Sequence, residues 1–174
     1  MVLFTKEEEF SAKYFRKRWN DYLSNVSISA KKIIEENKMT NFLEIGCAGM
    51  SLIKSSDTID ISKTWEGTPI KDINYPTYLY DISKKGWPIR DKYYDLSIAT
   101  QVWEHLDDPY IAFEELKRVS KFAILTFPYL WKSSDKIHKN ITKEKIDKWT
   151  LNTPFLEERI FNTRCKRLMR VYKF

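Results

Sequence analysis

Five short apolar runs spaced along the chain constrain its fold more than any other feature. They are Asn41–Cys47, Thr58–Ile61, Tyr78–Asp81, Tyr94–Ala99 and Phe122–Phe127, the first stopped by Gly46 and the last by Pro128. Runs this short, bounded by turn-forming residues, suit strands buried on both faces. Between the fourth and fifth, Pro109–Ser120 has helical spacing, with Ile111, Ala112, Glu115, Leu116 and Val119 recurring and Pro109 at an early helical position. Strands alternating with helices predict an α/β fold, Rossmann-like, with a mostly parallel central sheet and helices on both faces. The tail reads differently. Arg159–Thr163 and Lys166–Phe174 predict a closing C-terminal antiparallel hairpin.

Ahead of the first strand, residues 7–38 read as helical. Phe10, Tyr14, Trp19, Leu23 and Val26 lie roughly on one face, and Lys13, Arg16, Lys17 and Arg18 fill the other. A break is expected near Ser24-Asn25, with Ser29 capping a second helix over Ala30–Asn37. At 174 residues the chain suits a single domain, with 1–40 as a helical segment packing on a domain of 41–174. The 43% hydrophobic content excludes disorder, and only four Gly and six Pro exclude a low-complexity chain. No apolar run approaches the roughly 20 residues needed to span a bilayer, so no membrane association is expected. The N-terminus has no signal-peptide pattern, and Cys47 and Cys165 form no metal motif, so the expectation is reduced thiols in the cytoplasm. The net charge of +6 is spread along the chain, which favours a solubility role over a nucleic-acid footprint.

In open α/β sheets ligands bind beyond the carboxyl ends of the strands. Those ends carry Glu44-Ile45-Gly46-Cys47-Ala48-Gly49, then Asp60, Asp81, Thr100-Gln101 and Pro128-Tyr129. Three consecutive ends with an acid, and a Gly-containing turn after the first, suit a nucleoside-type ligand. One carboxylate can accept ribose hydroxyls and another an exocyclic amine.

Over residues 41–128 the chain resembles the class I S-adenosylmethionine (SAM)-dependent methyltransferases, most closely their small-molecule branch. The resemblance rests on Leu43–Gly49, Ile59–Ser62, Tyr94-Asp95-Leu96, Val102–Pro109 with its Glu104-His105 pair, Glu115–Val119 and Ile124–Pro128. The glycine loop departs from the family pattern. Glu44 and Gly46 match, but Ala48 and Met50 stand at the second and third glycine positions, with Gly49 between them. The short spacing from Glu44 to Asp60 predicts only a short helix, Met50–Ser55, between the first two strands.

The resemblance implies SAM as cofactor, S-adenosylhomocysteine as its product, and no metal. It implies backbone contacts to the methionine part and ribose from Gly46, Cys47, Ala48 and Gly49, with Glu44 holding the loop. Asp60 would accept the ribose hydroxyls and Ile61 pack on adenine. Asp81 would accept the adenine amine beside Ile82, and Thr100 and Gln101 would lie near the sulfonium. Structural alternatives stay open at this point. Asp60 can cap a following helix, Asp81 can form an Asx-turn before Ser83, His105 can be structural, and Trp87 can pack in the core.

Methyl transfer from sulfonium is an in-line displacement that needs alignment and desolvation more than a nucleophile on the enzyme. A base is needed only where the acceptor must lose a proton. His138, in the polar loop Trp131–His138, and Tyr129 are the candidate catalytic residues. Lys132, Lys136 and Lys139 nearby suit an anionic acceptor. The expected function is methylation of a small or medium acceptor, such as a sugar-related or phosphorylated metabolite. An RNA or protein methyltransferase docking through the basic N-terminal helix, or a non-catalytic binding module, are the alternatives. Nucleic acid is less favoured, since Ala99-Thr100-Gln101-Val102 replaces the Asn-Pro-Pro-Tyr-type motif of base methylation. Oligomeric state is left open.

Overall fold

The computed structural model describes residues 2–9, 13–65, 68–70, 74–132, 136–162 and 165–174. Phe10, Ser133–Asp135 and Thr163, named above, lie outside these residues, and the side chains of Lys13 and Tyr14 are likewise not described. Seven strands form the main sheet: β1 Phe42–Ile45, β2 Asp57–Asp60, β3 Tyr78–Leu79, β4 Tyr94–Thr100, β5 Ser120–Pro128, β6 Glu157–Phe161 and β7 Arg167–Lys173. Their order is β3-β2-β1-β4-β5-β7-β6. β1 to β5 pair in parallel, and β7 pairs antiparallel with both β5 and β6. The Rossmann-like architecture and the antiparallel C-terminal strands are as the sequence predicts.

β1, β4, β5 and β7 are buried on both faces, and two separate cores result. Toward one face, Leu43, Ile45, Ala123, Leu125 and Phe127 pack against Ala112, Phe113 and Leu116 of helix α3, Pro109–Val119. Toward the other, Leu96, Ile98, Phe122 and Ile124 pack against Val26, Ala30, Ile33 and Ile34 of helix α2, Ser24–Asn37. Each Leu, Ile, Val or Phe among them contributes about 1.5–3 kcal/mol when fully buried. α3 starts where its sequence says it should. Asp108 accepts the backbone N–H of Tyr110 at 3.1 Å and of Ile111 at 3.0 Å, with Pro109 at the first helical position.

The N-terminal helix departs from expectation. Helix α1, Lys13–Arg18, runs through a π-helical turn, Trp19–Leu23, directly into α2, with no break at Ser24-Asn25. Ser29 is buried inside α2 rather than capping a helix. The apolar face of Val26, Ala30, Ile33 and Ile34 is continuous across these residues, and its burial outweighs the preference of Ser and Asn for caps. At the start of the segment, Glu7–Glu9 form a single 3-10 turn.

The expected helix Met50–Ser55 does not form. Both carboxylate oxygens of Glu44 reach across the gap instead. They accept the N–H of Leu52 at 2.8 Å and of Ile53 at 2.7 Å, and the hydroxyl of Ser56 at 3.2 Å. N-terminal residues then pair with this segment, Thr5 N–H to Leu52 C=O at 2.9 Å and Lys54 N–H to Leu3 C=O at 3.0 Å. The backbone groups that a helix would satisfy are satisfied by a buried acid and an added strand-like segment. β3 is also shorter than the run Tyr78–Asp81 suggests. Helix α4, Lys143–Trp149, was not expected. Its signals are a Thr142 hydroxyl accepting from Lys145 N–H at 3.3 Å and buried Ile146 and Trp149.

Candidate active site

A cleft of about 640 Å³ opens at the carboxyl ends of β1, β2 and β4 and beside the end of β3. A volume in the range of roughly 300–1,000 Å³ accommodates a cofactor or drug-sized ligand. Of the residues expected at the site, Glu44, Gly46, Cys47, Ala48, Asp60, Ile61, Asp81, Ile82, Thr100, Gln101 and His138 line it. Gly49 and Tyr129 do not. Gly49 faces a smaller cavity bounded by Thr5, Glu9 and Tyr75. Tyr129 packs against the core on the α3 face, and its backbone N–H bonds Lys166 C=O at 3.0 Å. Tyr129 thus stands outside the lining of the cleft.

The loop after β1 is tightly fitted. Gly46 has φ +60°, and its N–H extends the ladder to Ile59 C=O at 3.0 Å. A Cβ there would lie 2.8 Å from Val102 Cγ2. Gly49 has φ +74°, and a Cβ would lie 2.5 Å from Ile70 Cγ2. Ala48 adopts φ +51° without being glycine. Met50 lines the cleft and packs against the core on the α2 face. The departures from the glycine pattern thus leave a left-handed loop intact.

Glu44 sits beneath this loop, where burial pushes its carboxyl up to about 7 despite three hydrogen bonds that favour the anion. Burial and the nearby Glu44 charge push the Cys47 thiol up to about 12, so it is neutral, and it lies 3.5 Å from Ser51 Oγ. At the end of β2, Asp60 accepts the N–H of Ser62 at 3.3 Å and the hydroxyl of Tyr75. Ile61, 68% exposed, stands at the lip of the cleft, and Ile82 is buried in its wall. Asp81 does form the Asx-turn, accepting Ser83 N–H at 3.0 Å, and lines the cleft as well. Trp87 belongs to the core, its indole N–H donating to Ile82 C=O at 3.2 Å.

Beyond β4 the backbone is again left-handed, at Gln101 with φ +58°. Its side-chain amide donates to Thr126 Oγ1 at 3.2 Å, while its Oε1 is buried without a hydrogen-bond partner among the described residues. This end of the cleft also holds Arg18, Arg167, His105, Trp131 and His138. Arg18 donates to Thr100 C=O at 3.3 Å and to the Tyr22 hydroxyl at 2.7 Å through Nε. The Arg167 guanidinium lies 4.5 Å from the Tyr22 ring centre and 5.3 Å from that of Trp131. Neither arginine was singled out as a site residue from the sequence. Arg18 reads there as one of four basic residues on a solvated helix face, and Arg167 as part of an edge hairpin. Lys132, Lys136 and Lys139 are exposed.

Residues 43–122 match the family model described as a methyltransferase domain. No curated protein sequence matches the chain. Among solved structures, the chain resembles N-methyltransferase NodS from Bradyrhizobium japonicum WM9 in complex with S-adenosyl-L-homocysteine, at TM-score 0.60 and 15% identity over 90% of each chain. It resembles magnesium protoporphyrin IX methyltransferase (ChlM) from Synechocystis PCC 6803 with bound SAM, at TM-score 0.60 and 15% identity over 94% of this chain and 86% of that one. It also resembles the [4+2]-cyclase SpnF, at TM-score 0.61 and 10% identity over 84% and 80%. Identities this low speak to fold. Domain match and fold agree: residues 43–122 are similar to a methyltransferase domain, and the chain has the fold of SAM-dependent methyltransferases.

Proposed function

We propose that the chain transfers a methyl group from SAM to a small or medium acceptor bearing an anionic group, such as a sugar-related or phosphorylated metabolite. The observation that carries this reading is the convergence of the Gly46 loop, Asp60, Asp81 and Gln101 on one cleft that continues toward Arg18, Arg167 and His138. When bound, SAM supplies a methyl group on a positively charged sulfur. Asp60 accepts the ribose hydroxyls through the acceptor capacity that Ser62 and Tyr75 leave open. Asp81 accepts the adenine amine, and Ile61 and Ile82 exclude water from the ring faces. The left-handed loop from Gly46 to Ala48 presents backbone groups to the methionine part. Thr100 and Gln101 border the sulfonium. Arg18 and Arg167 hold the acceptor's anionic group and fix its approach opposite the adenosine side.

On this reading 41–174 is the methyltransferase domain, and the 1–40 segment completes it by supplying Arg18 and Leu23 to the cleft. The reduced thiol of Cys47 fits a cytoplasmic setting. Among the described residues no helix is long and apolar enough to cross a membrane. The testing experiment is a metabolite screen in which release of S-adenosylhomocysteine is followed by mass spectrometry. The reading predicts acceptor-dependent release. SAM binding with no release against any small anionic acceptor, but with release against RNA or protein, would replace the acceptor class.

A further inference from the structure

The chain has two histidines, His105 and His138, far apart in sequence. The fold brings both to one place, with ring centres 4.9 Å apart in an edge-to-face arrangement. His105 lies in the 3-10 turn Trp103–His105 after β4, and His138 lies in the loop after β5, its ring stacked 5.5 Å from Trp131. Glu104 joins them. One carboxylate oxygen and one nitrogen from each ring all fall within 4.8 Å of one another.

Glu104 is the unusual member. Its side chain is fully buried, yet neither oxygen has a hydrogen-bond partner among the described residues. His105 Nε2, at 3.9 Å from Oε1, is too far for a hydrogen bond. Its own backbone N–H bears on the carboxylate, and Arg18 and Arg167 add their positive charge. A buried acid with no side-chain donor beside it among the described residues is costly, and such groups ordinarily pair or coordinate a metal. A second buried oxygen without a partner, Gln101 Oε1, lies on the adjoining wall of the cleft.

From this geometry we infer that Glu104, His105 and His138 form a divalent transition-metal site at the acceptor end of the cleft, with coordination positions left open to substrate. Two imidazoles and one carboxylate form a borderline N/O set of the kind that binds Zn²⁺, Fe²⁺ or Co²⁺. Ligand bonds of about 2.1 Å place neighbouring donors roughly 3–3.4 Å apart, so small rotations of the two rings close the site. His105 and His138 both face the cleft, and the ion would stand where the acceptor enters.

The catalytic use of the site rests on the methyltransferase reading and narrows its acceptor to a hydroxyl compound. An acceptor hydroxyl held at an open position becomes more acidic and releases its proton to solvent. Its oxygen lone pair forms the O–C bond as the C–S bond breaks, and sulfur keeps that bonding pair as the neutral thioether. The products are a methyl ether, S-adenosylhomocysteine and one proton. His138 then serves as a ligand and positions the acceptor; it does not take the proton.

The test titrates the untagged, chelator-stripped chain with Co²⁺ alone, following visible d–d absorption and heat. One Co²⁺ per chain should bind and show bands of a histidine-ligated ion. Changes in the outer shell of metal sites cost roughly 10–100-fold in affinity, so Glu104→Gln and His138→Ala should each weaken binding at least tenfold. SAM affinity should stay unchanged in both variants. Circular dichroism checks that each variant folds, and if Glu104→Gln does not, His138→Ala decides alone. Absence of saturable Co²⁺ binding, or unchanged binding in a folded variant, overturns the site. SAM binding without Co²⁺ binding defeats the site and leaves the methyltransferase reading standing. Co²⁺ binding without SAM binding supports the site and defeats the reading on which its catalytic use depends.

Discussion

Glu44 accepts the backbone N–H of Ile53 at 2.7 Å, and that bond ties the end of β1 to the segment on which Leu3–Thr5 pair. Its other oxygen holds Leu52 N–H at 2.8 Å. In Glu44→Gln one oxygen becomes an amide donor facing a backbone donor. The cost should be about 1–3 kcal/mol of folding stability, the range for a buried group left unsatisfied. Denaturant unfolding measures it. SAM affinity should fall too, since the same bonds hold the loop from Gly46 to Ile53. A variant as stable as the wild type would remove Glu44 from the organisation of this loop.

The same residue predicts a pH dependence. Burial raises the Glu44 carboxyl from an ordinary value near 4.5 to about 7 in the folded chain. A raised value means that the folded state binds the proton more tightly than the unfolded state. The stabilisation is therefore fully present below pH 4.5 and is lost as pH rises through about 7. Glu44→Gln lacks this titration. The stability difference between wild type and variant should accordingly narrow from pH 5 to pH 8, while other titrating groups largely cancel. A difference that is flat or widens over that window contradicts the protonation assigned to Glu44.

Gly46 is constrained by Val102 as well as by its own backbone. Gly46→Ala places a methyl group 2.8 Å from Val102 Cγ2, at φ +60°. SAM binding should be lost or greatly weakened. Adding Val102→Ala removes the collision but keeps the backbone penalty of roughly 1–2 kcal/mol, so the double variant should recover part of the affinity. Calorimetry of both variants decides. No recovery in the double variant would show that contact with the ligand, rather than with Val102, demands glycine here.

Arg167 is 7% exposed, stacks over Tyr22 and lies 3.9 Å from Asp21. Arg167→Gln should raise KM for an anionic acceptor roughly tenfold or more, in keeping with loss of a charge-assisted contact. SAM affinity should hold. Steady-state kinetics against the acceptor found in the metabolite screen measures both. An unchanged KM would take Arg167 out of acceptor recognition.

Much of the fold was legible because burial on both sheet faces leaves an unambiguous mark. β1, β4 and β5 carry near-continuous apolar runs, and Asp108-Pro109 announces α3. The strand-end acids Asp60 and Asp81 were legible for a related reason, since topology alone puts strand ends at one rim. The connection after β1 was not legible. A helix is the usual solution for a parallel crossover, and nothing local in Met50–Ser56 announces that Glu44 and the distant Leu3–Thr5 take its place. Arg18, Arg167 and the Glu104–His105–His138 cluster were missed together because each depends on contacts between remote segments. His138 was noticed as a lone residue; its proximity to His105 exists only in three dimensions.

The central claim is that the cleft holds SAM through the β2-end carboxylate, and titration calorimetry of wild type and Asp60→Ala with SAM tests it most directly. Asp60 lines the cleft and keeps acceptor capacity beyond the bonds from Ser62 and Tyr75. Wild type should bind one SAM per chain. Asp60→Ala should fold normally and lose about 1.5–3 kcal/mol of binding, a rise in Kd of roughly tenfold to a hundredfold. A folded wild-type chain that gives no binding heat with SAM or S-adenosylhomocysteine, or an Asp60→Ala variant of wild-type affinity, would contradict the account.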